Sequence, residues 1–183
     1  MSTATTQPIS TGTWSIDPVH SHVGFAVKHM VVSTFRGRFE DYAGALTVGA
    51  DGAPRLEGSV DVDSIVVKDE NLAAHLKSPD FFDSASYPQI RFRSNGVSVE
   101  EGGELAVDGE LTIKDHTHAI AARGTITGPH ENIAGNEEIG VELEAVVDRR
   151  KFGLEWNAPL PKGGFALDDY VKLQVALELV RVV

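Results

Sequence analysis

The 183-residue sequence contains no cysteine, which removes disulfides, a thiol nucleophile and thiolate metal sites from consideration. Basic residues are few: 16 Lys and Arg stand against 27 Asp and Glu, for a net charge of −11. No Lys/Arg cluster interrupts that acidic field, so a phosphate backbone is repelled and nucleic acid is excluded as a partner. The same balance lacks the polybasic attraction that holds proteins flat on anionic membranes. No apolar stretch is long enough to cross a bilayer, so no stable membrane insertion is expected. Residues 1–13 contain neither a basic residue nor an apolar run, the two parts of a secretory signal. Read from Met1, the chain is expected in the cytoplasm. Ser21 has no Gly-x-Ser-x-Gly elbow around it. The Gly102-Gly103 and Gly163-Gly164 pairs lack the strand-to-helix setting of a phosphate loop and read as turns.

What the sequence does contain is alternation. Hydrophobic residues make up 42% of the chain, enough for a core, and most fall with period two, the mark of strands with one dry face. In Glu138–Asp148, Ile139, Val141, Leu143, Ala145 and Val147 oppose Glu138, Glu142 and Glu144. Near the C-terminus, Val171, Leu173, Val175, Leu177 and Leu179 oppose Lys172, Gln174 and Glu178. The pattern recurs around Val23–Val27, Arg36–Val48, Leu56–Asp63, Gln89–Val99, Leu105–Lys114 and His118–Thr127. Turn signals stand at Ala50-Asp51-Gly52, Glu101-Gly102-Gly103 and Thr127-Gly128-Pro129. The expectation is an all-β fold of about eight antiparallel strands, closed as a barrel or stacked as a sandwich. Its domain organisation reads as a flexible tail over residues 1–12 and one β domain over 13–183.

One segment departs from this period. From Asp69 to Lys77 the spacing is helical, with Leu72, His75 and Leu76 on one face, Asp69 as N-cap and Ser78-Pro79 as terminator. Asp80-Phe81-Phe82-Asp83 follows. Adjacent phenylalanines cannot share one strand face, so they are expected to pack the helix onto one end of the barrel, as a lid or as a plug.

Two constellations carry chemistry. His20 and His22, and His116 and His118, are His-x-His pairs. Together they are the basis of one functional reading, a metal-dependent enzyme. Against it, Asp17-Pro18-Val19-His20 and Lys114-Asp115-His116 read as turns, and His22 falls on a polar face. No metal site, cofactor or catalytic residue is therefore assigned. The eight phenylalanines, Phe25, Phe35, Phe39, Phe81, Phe82, Phe92, Phe152 and Phe165, are spread through the chain. In a small barrel such residues ordinarily fill the interior, which is the default reading, and the period alone does not show a cavity.

Three ordered stretches resemble one family. The first is Trp14-Ser-Ile-Asp17-Pro-Val-His20-Ser21-His-Val-Gly-Phe25-Ala-Val-Lys-His29-Met30 with Phe35-Arg-Gly37-Arg-Phe39. The second is Asn71-Leu-Ala-Ala-His75-Leu76-Lys-Ser78-Pro-Asp80-Phe81-Phe82-Asp83 with Tyr87-Pro88-Gln-Ile90-Arg-Phe92. The third is Val107-Asp-Gly109-Glu-Leu111-Thr112-Ile113, then Asp148-Arg149-Arg-Lys-Phe152-Gly153. In this order they are similar to the YceI-like family of lipocalin-like, polyisoprenoid-binding proteins. The resemblance implies an antiparallel barrel holding a polyprenyl chain, an isoprenoid quinone or a similar lipid, as carrier, store or scavenger, and frequently a homodimer. Nothing in the sequence requires an enzyme, and none is expected. Carried onto this sequence, the resemblance makes Phe25, His29, Phe39, Leu76, Phe81, Phe82, Ile90 and Phe92 the candidate ligand-binding residues. His20, Ser21, Asp148 and Arg149 fall in its polar motifs. The chain departs from the family in lacking the signal peptide of many periplasmic members. It also has Asp115-His116-Thr117-His118 where relatives usually carry a Gly-Val-Thr-Lys turn.

Overall fold

A computed structural model describes residues 8–182. Among them, the alternating runs form eleven strand segments: β1 (Gly12–Ile16), β2 (His22–His29), β3 (Ser33–Phe39), β4 (Tyr42–Val48), β5 (Pro54–Asp61), β6 (Ile65–Val66), β7 (Gln89–Val99), β8 (Glu104–Ile113), β9 (His116–Glu131), β10 (Glu137–Asp148) and β11 (Leu167–Val182). Three of these continue the line of the segment before them. β1 and β2 both pair antiparallel with β11, β1 along Leu179–Val182 and β2 along Leu167–Ala176. β4 and β3 pair with β1 and β2 in the same way, and β6 extends the line of β5 beside β3. Eleven segments therefore make eight long staves, each hydrogen-bonded to the next, with β11 closing the ring onto the first. The fold is a closed antiparallel barrel, as the alternation and the resemblance together predicted. Among the described residues closure leaves only short unpaired edges, such as Ser33–Gly37 of β3 beyond its two-residue pairing with β6.

The breaks in the long staves have local causes. The run read as Arg36–Val48 is interrupted at Glu40-Asp41, and the run Leu56–Asp63 stops at Asp61. There a 3₁₀ turn over Val62–Ser64 begins, capped by the Asp61 carboxylate, which accepts from Asp63 N at 2.9 Å. The expected turn at Thr127-Gly128-Pro129 is corrected: β9 runs through it to Glu131, and the ladder with β10 shifts register between Glu138 and Gly140. Pro129 has no N–H to give a ladder, and a register shift is where a strand tolerates it. The connection falls instead on 132–136, where Asn132 Oδ1 accepts from Ala134 N and Asn136 N, each at 2.9 Å.

Of the tail expected over residues 1–12, residues 1–7 lie outside the described residues. Ile9 packs against the barrel core, and the Ser10 carbonyl accepts from the indole Nε1 of fully buried Trp14 at 3.1 Å. Helix α1 (Glu70–Lys77) forms as read: the Asp69 carboxylate accepts from Leu72 N at 2.9 Å, and the helix ends at Ser78. Leu76, Phe81 and Phe82 are buried with Phe39, Val62, Ile65, Leu111, Ile113, Val147 and Phe152 at one end of the barrel. The other end is filled by Trp14, Leu46, Val48, Leu56, Leu105, Val107, Ile126, Ile139, Val141 and Leu179.

Two polar devices hold the ends. At the β1–β2 break, Asp17 Oδ1 accepts from Val19 N at 2.9 Å. His20 Nδ1 lies 2.8 Å from Asp17 Oδ2 and 3.4 Å from Glu178 Oε1 on β11. Tyr42 Oη donates to the Ser21 carbonyl at 2.7 Å. The hydrogen bond to Asp17, then the charge of Glu178, raises the His20 pKa, and the same hydrogen bond lowers that of Asp17. At the opposite end Arg149 is only 4% exposed. Its guanidinium donates to the carbonyls of Leu154, Trp156 and Asp168 at 2.6, 2.9 and 2.8 Å, fastening the long β10–β11 connection.

Each device has a measurable consequence. A raised His20 pKa means its contribution is fully present below the unfolded value of 6.5 and fades as pH rises through the folded one. Asp17 works oppositely, its contribution fading as pH falls from 3.8 through its lowered value. His20→Gln should therefore depress the melting temperature more at about pH 5.5 than at about pH 9. An equal deficit at both would show that the break is held by shape alone. For Arg149, lysine cannot span three carbonyls, so Arg149→Lys should leave at least one of them unpaired. Urea denaturation is expected to show a loss of roughly 1–3 kcal/mol; a neutral result would remove the clamp.

Candidate functional site

The inward positions of the staves do not meet at the axis. Between the filled end and the helix-bearing end the barrel encloses a cavity of about 650 Å³, within the range of small-molecule sites. Its wall is almost wholly carbon: Val23, Phe25 and Val27 from β2, Phe35 and Phe39 from β3, Val60 from β5, Ile90 and Phe92 from β7, Leu143, Ala145 and Val147 from β10, Val171, Leu173 and Val175 from β11. Leu72, His75 and Leu76 of α1 and Phe81, Phe82 and Trp156 complete one end. Glu57, Arg91 and Glu144 border it from strand positions whose side chains are exposed on the outer face. Where the lining reaches solvent on the barrel's own ends it does so at the β2–β3 hairpin, at exposed Met30 and Ser33 beside half-buried His29 and Thr34.

Phe25, His29, Phe39, Leu76, Phe81, Phe82, Ile90 and Phe92 all line this cavity. The fold thus brings together eight residues from β2, β3, β7, α1 and the loop after it. Phe25 lies 6.0 Å from Phe39 and 6.1 Å from Phe35, ring centre to ring centre, and Phe39 lies 6.1 Å from Phe82. His75 sits edge-on to Phe81 and Trp156 at 5.1 and 4.8 Å, while its Nε2 stands 2.9 Å from Asp80 Oδ2. Its polar edge is thereby engaged outside the cavity.

Two glycines decide why these rings leave space. Gly37 pairs with Phe25 across the β2–β3 ladder, and a Cβ there would stand 2.5 Å from Phe25 Cζ. Gly109 plays the same part for Phe92, whose Cζ would lie 2.6 Å from an added Cβ, with the Arg93 carbonyl at 2.4 Å. Each ring packs against a glycine, in space that a Cβ would occupy. The sequence carried a signal for Gly37, which occupies an inward position between Phe35 and Phe39; nothing in it marked Trp156, which lies in a stretch without a period.

The His-x-His pairs do not converge. His20 belongs to the β1–β2 break and His22 pairs with Ala176 on β11. His118 Nε2 stands 2.9 Å from the Lys151 carbonyl and its ring is edge-on to Phe152. β9 and β2 are separated by β10 and β11, three strand spacings or about 14 Å. Asp17, His20 and Glu178 do bring three donor atoms within 4.8 Å of one another; in this structure they pair with each other. Ser21 and Arg149 are likewise engaged with backbone: Ser21 Oγ accepts from Glu178 N at 2.9 Å. No described helix is long and apolar enough to cross a membrane.

Comparison with known proteins agrees with this architecture. A UPF0312 protein of Staphylococcus aureus (strain USA300) is 30% identical over 168 residues, covering 90% of this chain and 95% of that one. Among solved structures, Burkholderia cenocepacia BcnA superposes with a TM-score of 0.75 at 21% identity, over 89% of this chain and 98% of that one. A polyisoprenoid binding domain from Saccharophagus degradans, implicated in plant cell wall breakdown, gives 0.67 at 13% identity, over 92% and 98%. Both structural likenesses are likenesses of fold. The model of the YceI-like domain matches residues 14–179, almost the whole barrel from within β1 to the closing stave, and the chain belongs to that family.

Proposed function

We propose that this protein binds the tail of a long-chain apolar amphiphile inside the barrel, as carrier, store or scavenger, and catalyses nothing. A polyisoprenoid, an isoprenoid quinone or a similar lipid fits this description. The observation that carries the reading is the carbon-walled cavity of about 650 Å³, filled by core at one end and reaching solvent at the other. At roughly 30 Å³ each, that volume takes on the order of twenty methylene-sized groups. Each methylene removed from water is worth about 0.8 kcal/mol, so even half that length offers about 8 kcal/mol before the costs of association. Water gains little in the same space, because it needs two to four polar partners. A polar head group would stay at the solvent-exposed end, near His29, Ser33 and Thr34. The metal-dependent enzyme reading has no comparable support, since its two histidine pairs stand on different faces of the barrel. A cytoplasmic setting belongs to this proposal, and cell fractionation tests it.

Organic extraction of freshly purified protein followed by mass spectrometry should return a long-chain lipid. Phe92→Asp and Phe25→Asp should lose it, since an unpaired charge in such a wall costs roughly 2 kcal/mol or more. Arg93→Asp and Glu142→Lys, on the outer face, should keep it. The Phe variants must be shown folded by circular dichroism, and Phe92→Ala enlarges the cavity without adding charge. Folded Asp variants at wild-type lipid occupancy would place the ligand elsewhere and end this reading.

The glycine pairing supplies an independent check. Gly37→Ala should push the Phe25 ring into the tunnel and lower lipid occupancy while the barrel stays folded. Adding Phe25→Ala to that variant should restore occupancy. Gly109→Ala meets rigid backbone at the Arg93 carbonyl and should instead destabilise the fold, by roughly 1–3 kcal/mol in urea denaturation.

A further inference from the structure

The tunnel mouth carries an exposed apolar lip. At the tip of the β2–β3 hairpin Met30, Val31 and Val32 are 41%, 76% and 85% exposed. Beside them is Phe165, 60% exposed, in the residue before Ala166, whose carbonyl accepts from Met30 N at 2.8 Å. Val31 holds φ at +66° and Met30 at +51°, a left-handed tip ordinarily given to glycine or asparagine and least suited to a β-branched residue. Apolar side chains are thus kept in water at the positions where the backbone least favours them, and no packing among the described residues covers them. Elsewhere, strongly exposed apolar side chains such as Val19 and Ile133 stand alone, as is normal for a protein surface.

The lip is continuous with the cavity. Met30 lines it, as do His29 and Ser33 on one side and Ala158, Ala166 and Leu167 on the other. The lip is also built: Asn157 donates from Nδ2 to the Leu167 carbonyl at 2.8 Å and accepts from Leu167 N at 2.9 Å, closing the 157–167 loop. Its charge differs from that of the chain as a whole. Residues 28–36 and 156–167 contain Lys28, Arg36 and Lys162 and no Asp or Glu, in a protein of net charge −11. All three are exposed, and none takes part in an ion pair among the described residues. Glu155 and Asp168 flank this acid-free stretch.

We propose that this lip docks on the surface of an anionic lipid bilayer, so that a tail passes between membrane and tunnel without crossing water. The proposal rests on the lipid-carrier reading above. Val31, Val32 and Phe165 would enter the headgroup boundary while Lys28, Arg36 and Lys162 meet anionic headgroups. That combination of apolar and basic groups is the one that holds proteins on such surfaces. Glu155 and Asp168 border the lip, while acidic groups farther from it than a Debye length of about 8 Å are screened in physiological salt.

Flotation of the full chain with vesicles tests it. The protein should float with vesicles of equal parts phosphatidylcholine and phosphatidylglycerol, less with phosphatidylcholine alone, and less as salt is raised. Lys162→Gln should weaken flotation about fivefold, the change equivalent to ~1 kcal/mol per basic residue at the surface. Val31→Ser with Val32→Ser, or Phe165→Ser, should weaken it by about tenfold. These side chains lie outside the tunnel, so the variants should still take up a pyrene-labelled fatty acid from solution. Flotation unchanged in the lip variants overturns the proposal. So does wild-type protein that takes up the fatty acid but floats with neither vesicle, a result that leaves the carrier reading standing. Failure of every variant and the wild type to take up any lipid removes the carrier reading and the docking with it. A dimer by light scattering that dissolves in the lip variants, without flotation, would assign the lip to a second copy of the chain.

Discussion

The ladder that β11 makes with both β1 and β2 is the interaction on which the rest depends. β11 is a single stave from Leu167 to Val182, paired along β10 on one side and along the two N-terminal segments on the other. Without that second seam the sheet would have two open edges and its apolar face would need a covering layer. With it, the apolar face becomes an interior. The latch of Asp17, His20 and Glu178 stands where the seam passes from β2 to β1, so the polar motif of the N-terminal stretch serves closure.

Closure creates an interior, and side-chain size decides whether it is solid. At one end Trp14, Leu46, Leu105, Ile139 and Leu179 meet and fill it. Toward the other, Phe25 packs against its ladder partner Gly37 and Phe92 against Gly109, diagonal to it on β8, each in space a Cβ would occupy. A barrel of eight staves sits at the size where its interior is either filled by side chains or holds one small ligand. Two inward positions without a Cβ beside aromatic rings favour the second outcome.

The long β10–β11 connection and the β2–β3 hairpin then shape the open end. Arg149, buried and bonded to three carbonyls, ties down the connection from within, and Met30 N bonds it to the hairpin. A charged residue of the family's motif is therefore spent on holding the rim in place. That leaves the rim's outward side chains, Val31, Val32 and Phe165, free to be apolar.

Most of the strand framework was legible in the sequence, because a half-buried strand writes its burial as period two: Ile139 to Val147 and Val171 to Leu179 face the interior as their alternation required. The helix after Asp69 was legible from its cap and its terminator, and the two adjacent phenylalanines pointed to its docking. Resemblance, not period, supplied the candidate lining residues. Local pattern misplaced the turn at Gly128-Pro129, since a glycine and a proline look alike in a turn and at a register shift. Whether the barrel was hollow lay beyond any local reading: it depends on which ring lies over which glycine, and Phe25 with Gly37 or Phe92 with Gly109 are neighbours only across a ladder. The separation of the histidine pairs and the meeting of Met30 with Ala166 are of the same kind. Periodicity reports the environment of a residue along its own strand, while distances between strands are set by register and closure, which only the tertiary structure decides.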